Sequence, residues 1–320
     1  MHSILLICPY FGKLPTCQFP LWLESCRYNP TIDWLLITDD ETRYDYPQNV
    51  RVKYTSWNSF KSRVESVFNF PIYFEKPYKV CDFRPAFGVI FEEEIKGYDF
   101  WGHTDCSDTI YGDLRTFLKD DILEKSDKVL LLGHFSLYRN TEEVNQRYKL
   151  RTKSALTYRD IFTTEKSMSF DECYPHSINR IFKENHCAIM DIPNFCLDIS
   201  QKSFDFVRHV ISDDWTRFYD PCGYKYGVLW KDGKLFSVRR NGIRLCKEEI
   251  GYTHFKKRNM KGTVSGSSYW IVPNKFVSEP RILTFFHFLY YIEIRSFFRK
   301  VWCYLASKVK RIREHNKMDF

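Results

Sequence analysis

The chain has 320 residues, room for one large domain or two small ones, and its 44% hydrophobic and 18% aromatic content excludes a disordered polypeptide. Its net charge of +8 is uneven: residues 281–320 hold nine Lys/Arg against three Asp/Glu, or +6, which leaves only +2 for the first 280. A near-neutral body without a recognisable module argues against nucleic acid as a partner. Eleven scattered cysteines with no CxxC pair argue for a reducing compartment and against structural zinc. No basic leader or small-residue cleavage site precedes the first apolar run, so the body is expected in the cytoplasm.

The first elements alternate in type. Ile4 to Cys8 predicts a short strand, Phe19 to Tyr28 a helix with Phe19, Leu23 and Cys26 at helical spacing, and Asp33 to Thr38 a second apolar strand, which is the rhythm of a βαβ unit. Ser59 to Phe68 predicts another helix. Lys79 to Glu94 predicts helix around Arg84 to Phe91, with Pro85 in its first turn. Phe100 to Thr104 then reads as a strand, Asp113 as the cap of a helix through Leu118, and Lys128 to Leu132 as a strand. The expected class is therefore α/β, a Rossmann-type mixed sheet flanked by helices, with ligands at the strand ends.

The later part carries a hairpin signal in Tyr226 to Val238, with Asp232-Gly233 as the turn, and a strand ending near Phe255. Residues 1–280 read as one domain and 281–320 as a basic tail. Ile282 to Ile292 is apolar, but eleven residues do not cross a bilayer of about 30 Å. Beyond it Ile294, Phe298, Val301, Leu305, Val309 and Ile312 recur at three- and four-residue steps, with Arg295, Arg299, Lys308 and Arg311 between them. That pattern predicts an amphipathic helix on an anionic membrane surface, or one docked on the domain or a partner.

The strand at Phe100 delivers two acids into a turn, Asp105 and Asp108. Carboxylates leaving a buried strand suit a divalent cation held against phosphates, although acids after strands also make turn and cap hydrogen bonds. Tyr10 or Phe11 at the end of the first strand offers a ring to a base, and Thr38 or Asp39 at the end of the second an acceptor for base or ribose. Lys79, Asp82 and Arg84 form a compact polar set suited to donor ribose or phosphate, or to a local salt bridge, with Arg84 the best match to phosphate geometry. Asp171 and Glu172 are adjacent acids, and Asp171 could cap a helix.

Six segments occur in order: Pro9 to Gly12, Leu36 to Asp39, Lys79 to Pro85, Trp101 to Asp105, Gly133 to Asn140 and Tyr252 to Arg258. Together, over about residues 1–277, the chain resembles a bacterial polysaccharide-biosynthesis family similar to GT-A glycosyltransferases. The resemblance implies a GT-A-like fold and hexose transfer from a nucleotide diphosphate sugar, most simply a UDP-sugar, to a surface polysaccharide or lipid-linked glycan. It also implies Mn²⁺ or Mg²⁺ bound by Asp105 and Asp108, with His254 a further ligand as in glycogenin-like relatives and Lys257 and Arg258 on the diphosphate. In an inverting enzyme it implies Asp171 or Glu172 as the base that takes an acceptor hydroxyl's proton, with Gly133-His134-Phe135 and Tyr138-Arg139-Asn140 lining the sugar site or serving structural roles. Such an enzyme would sit on the inner face of the plasma membrane.

The chain departs from the family's Asp-x-Asp in having two residues between its acids. In an extended strand Asp105 would align with Ser107, and only a bulge or turn would return Asp108 to the same side. That departure admits a non-catalytic sugar-nucleotide-binding or scaffold protein with the same fold.

Overall fold

The computed structural model describes residues 1–199, 205–211, 217–219, 225–256, 258, 260–278, 285–294, 297–298, 301 and 305. Lys257 and, of the tail pattern, Arg295, Arg299, Lys308, Val309, Arg311 and Ile312 lie outside the described residues.

Strands β1 (Ile4–Tyr10), β2 (Asp33–Thr38), β3 (Val50–Tyr54) and β4 (Phe100–Thr104) run parallel in the spatial order β3-β2-β1-β4. Helix α1 (Phe19–Arg27) makes the β1-to-β2 crossover and buries Phe19, Trp22, Leu23 and Cys26, while α2 (Trp57–Ser66) follows β3 and is capped by Ser56. After β4 the chain passes through β5 (Thr109–Tyr111) to a second sheet and returns in the hairpin β6 (Lys128–Leu132) and β7 (Phe135–Arg139), with β7 antiparallel to β4. The two-residue strand β8 (Ile189–Met190) completes the first sheet beside β6. Alternate residues of β1 face different cores, Ile4 and Leu6 one and Leu5 and Ile7 the other, as expected of a parallel sheet covered on both sides.

The second sheet uses β9 (Cys196–Ile199) and β10 (Phe206–Val207), and β11 (His209–Ile211) with β12 (Arg217–Tyr219) forms a separate ribbon. Then come β13 (Tyr226–Lys231), β14 (Lys234–Asn241), β15 (Arg244–Ile250), β16 (Tyr252–His254), β17 (Ser268–Val272) and β18 (Lys275–Ser278). Its order is β15-β14-β13-β10-β9-β16-β5, with β17 also on β13 and β18 beyond it. The expected hairpin turn is present: Asp232 and Gly233 both have positive φ, 48° and 80°, the backbone a two-residue turn of this type requires.

Two local expectations change. Residues 77–95 form a series of three- and four-residue helical turns, because Pro85 withholds an amide and Phe91 leaves helical geometry at φ −117°. Asp113 does cap, accepting from the Arg115 and Thr116 amides at 3.1 and 3.3 Å, but the element is one 3₁₀ turn, Leu114–Thr116.

The first part of the expected tail belongs to the folded body. In the helical segment Phe285–Ile294, Phe288 and Ile292 pack against Leu229, Val238, Trp270 and Val272, and Glu293 accepts from Arg240 Nε at 2.5 Å. The folded unit thus runs past residue 280. Among the described residues no helix is long and apolar enough to cross a membrane.

Candidate functional site

A parallel sheet ordered 3-2-1-4 reverses direction between β1 and β4, and at such a point the loops leaving the carboxyl ends of two strands diverge and open a crevice. A cleft of about 620 Å³ lies there. One rim comes from the end of β1, with Tyr10 and Phe11; the floor comes from the Asp105–Asp108 turn after β4.

Strand register explains why distant residues meet in it. The turn carries the chain out of the first sheet and into β5, which pairs antiparallel with β16 so that Thr109 lies opposite His254. On its other side β16 runs parallel to β9, with His254 beside Asp198. The Phe255 amide donates to the Asp108 carbonyl at 2.7 Å, so the ladder continues to the second acid. The Asp105 amide donates to the His134 carbonyl, and the Thr109 hydroxyl to the Asp105 carbonyl.

The turn resolves the spacing. Cys106 is directed into the core, and both Asp105 Oδ2 and Asp108 Oδ2 lie 3.6 Å from His254 Nε2. One ligand atom from each of Asp105, Asp108 and His254 lies within 4.8 Å of the others. Two carboxylates and an imidazole so placed could hold a divalent cation. The other ring nitrogen, Nδ1, bonds Asp198 Oδ1 at 3.0 Å, which turns Nε2 toward the two acids.

Asp198 also accepts from His209 Nε2 at 2.7 Å and pairs with Lys256 Nζ at 2.8 Å; burial opposes its charged form, but the neighbouring His254 and then the His209 hydrogen bond hold its carboxyl well below the ordinary range. Burial opposes the charged form of His254, but Asp198, then Asp105 and Asp108, raise its pKa well above the usual imidazole value. His134 stacks on His254 with ring centroids 4.0 Å apart, and its Nδ1 meets the Tyr252 hydroxyl at 2.8 Å.

Arg84 joins the acids to the other catalytic candidate. Its Nη2 bonds Asp105 Oδ1, and its Nη1 bonds Asp171 Oδ2 at 2.9 Å and the Gly133 carbonyl at 2.7 Å. Burial opposes ionisation of Asp105, yet Arg84 and then His254 lower its pKa below the carboxylate range. Burial pushes Asp171 up to about 8, with Arg84 pulling against it and Glu172 adding to it. Gly133 is required here, since a Cβ would lie 2.8 Å from the Asp171 carboxyl carbon. Asp171 caps no helix; the next one starts at Ile178. Glu172 and Arg258 also line the cleft.

The structure does not bring every predicted residue to this cleft. Lys79 spends its ammonium on Asp82 at 2.7 Å and on the Ile161 and Lys166 carbonyls, and Asp82 also accepts from the Met168 and Phe170 amides. This pair is the local salt bridge, fully buried, and it fastens the segment that leads to Asp171. Thr38 is buried and accepts from the Asp40 amide, while Asp39 accepts from the Gly12 amide at 2.7 Å; neither lines the cleft. Tyr138 stacks on Trp101, Arg139 holds the Leu123, Glu124 and Ser126 carbonyls, and Asn140 holds those of Ile95 and Tyr98, so only Gly133 and His134 of the sugar-site candidates reach the cleft.

Sequence reasoning passed over Asp198 and Gln18. A lone acid in the apolar run Phe195-Cys196-Leu197-Asp198-Ile199 was the available signal for the first. Gln18 left none: its amide bonds the Ser107 carbonyl, the Arg258 carbonyl and the Met260 amide, tying the acid turn to the segment that follows β16.

Residues 6–280 match a family described as "Family of unknown function (DUF6625)". The chain belongs to that family. Its description carries no activity, and no curated protein matches the chain. Among solved structures, the crystal structure of the glycosyltransferase GlyE in Streptococcus pneumoniae TIGR4 aligns at 13% identity and a TM-score of 0.29, covering 60% of this chain and 45% of that one. This chain thus matches less than half of that protein's length, and a superposition so loose carries no argument about activity.

Proposed function

We propose that this DUF6625 protein is a metal-dependent glycosyltransferase that moves a hexose from a nucleoside diphosphate sugar, with UDP the preferred nucleotide, to a glycan or lipid-linked acceptor. The observation that carries the reading is the meeting of Asp105, Asp108 and His254 in a cleft at the sheet's reversal point, with Asp198 fixing the imidazole. Asp105, Asp108 and His254 would hold Mn²⁺ or Mg²⁺, which supplies neutralisation of the charge that develops on a departing diphosphate.

The chain's own residues divide the remaining work. Tyr10 and Phe11, which line the cleft at the end of β1, would contact the base, and Arg258 would supply positive charge for the diphosphate. In an inverting transfer Asp171 or Glu172 takes the acceptor hydroxyl's proton as its oxygen bonds the anomeric carbon and the bond to the diphosphate breaks. Arg84 sets the distance between that step and the cation, because one guanidinium spans Asp171 and Asp105.

Titration calorimetry with UDP, with and without Mn²⁺, followed by a UDP-sugar hydrolysis screen, tests the reading. Mn²⁺-dependent UDP binding with UDP release is expected; no binding in either condition overturns it. One observation favours a second reading, a catalytically silent sugar-nucleotide-binding protein: Arg84 already engages both a cation carboxylate and the candidate base. That reading predicts metal-dependent binding and no UDP release with any donor.

A further inference from the structure

We propose that the tip of the β14–β15 hairpin and the outward face of the segment Phe285–Ile294 form one surface that docks on an anionic lipid bilayer. This inference stands independently of the transferase reading. Ile243, at the hairpin tip, is 85% exposed, beside Gly242 at φ +60°. A branched apolar side chain so far out of a sheet contributes nothing to the fold. Residues 239–247 around it carry Arg239, Arg240, Arg244 and Lys247 and no acid.

The C-terminal segment is adjacent. Arg240 bonds Glu293 through Nε and Nη2, and its guanidinium carbon lies 6.0 Å from the Phe285 ring centroid. With Phe288 and Ile292 turned into the body, the other face presents Phe286 at 75% and Tyr290 at 51% exposure, and Phe297 and Phe298 continue it at 60% and 65%. Aromatic and aliphatic groups are therefore displayed beside a hairpin tip that carries cations and no acid.

Charge identifies the occupant. The first 280 residues are nearly neutral in sum, yet residues 239–247 set four cations and no acid around Ile243, with Arg240 paired to Glu293. Apolar groups that enter the acyl boundary, ringed by cations at the phosphates, match an anionic leaflet; a protein partner would need acidic complements to the same hairpin. The contact adds to the expected tail helix a fixed point on the folded body, so that the lipid plane has a defined orientation relative to the second sheet.

Flotation of the full chain with vesicles of phosphatidylcholine alone, or mixed with phosphatidylglycerol, tests this. Binding to the mixed vesicles and not to the neutral ones is expected. Ile243→Asp should lower partitioning about tenfold or more, and Arg244→Glu about fivefold or more, with the melting temperature and UDP binding of both variants unchanged. Hydrogen exchange at residues 241–244 and 285–294 should slow when mixed vesicles are added. Wild-type partitioning by Ile243→Asp, equal binding to neutral vesicles, or unchanged exchange at the hairpin overturns the proposal. So does a dimer in sedimentation velocity that Ile243→Asp dissociates while vesicle binding is absent.

Discussion

The Lys79–Asp82 pair and the Asp105–Asp108–His254 group are built from similar side chains, both largely withdrawn from water, yet only one faces the cleft. In the first, each polar atom is consumed: three hydrogen bonds leave the ammonium, and the carboxylate takes an ammonium and two amides. In the second, Asp198 fixes one nitrogen of the imidazole, and the other looks at two carboxylates from 3.6 Å, longer than a hydrogen bond and open to an ion. A buried charge cluster with its hydrogen bonds filled fastens the chain; one that leaves ligand atoms converging on a gap can bind.

Substitutions should separate the two clusters. Asp82→Ala removes one member of a buried pair and should cost about 3–5 kcal/mol in urea unfolding. Under conditions where it is folded, it should retain metal-dependent UDP binding. If Asp82→Ala instead abolished that binding and left the unfolding midpoint alone, the distinction between fastener and site would fail. Asp105→Ala should do the reverse, lowering Mn²⁺-dependent UDP affinity at least about 100-fold in calorimetry with a smaller change in melting temperature.

Asp198→Asn keeps the shape but loses the charge that orients His254, so Mn²⁺ affinity should fall about 10- to 100-fold. The pH profile sharpens the assignment of the base. With the Asp171 carboxyl raised to about 8 by burial, turnover should climb with pH and level above that value, and Asp171→Asn should abolish the climb if Asp171 rather than Glu172 takes the proton. Asp113→Ala, remote from the cleft, should cost about 1 kcal/mol of stability through its lost cap and leave UDP binding unchanged.

Most of the first sheet was legible: β2, β4 and β6 have the bounds the sequence predicts and β1 extends two residues further, whereas the largely exposed, charged edge strand β3 was not predicted. Strands β5 and β9 were harder to read, since three or four residues leave too little periodicity, and although the strand ending near Phe255 was expected, the pairing of β16 with them joins segments far apart in the chain. Those same short strands bring Asp108, His254 and Asp198 together. The acids at Asp105 and Asp108 could be read from their position after a strand, whereas the turn that aligns them depends on partners such as Gln18 and Phe255. Lys79 and Asp82 looked available because a sequence shows charge and hides burial. The docking of Phe288 and Ile292 was hidden for the converse reason: one helical stripe serves a protein surface or a lipid one equally well.

The Asp105–Asp108 turn is also where the chain passes from one sheet to the other, so the ligands are divided between them: Asp105 follows the last parallel strand of the first, and His254 ends a strand of the second. An ion gripped by both would act as a rivet across that seam. Mechanical play between the halves and occupancy of the cage then become one quantity, and proteolysis of the seam should slow as the cation is added.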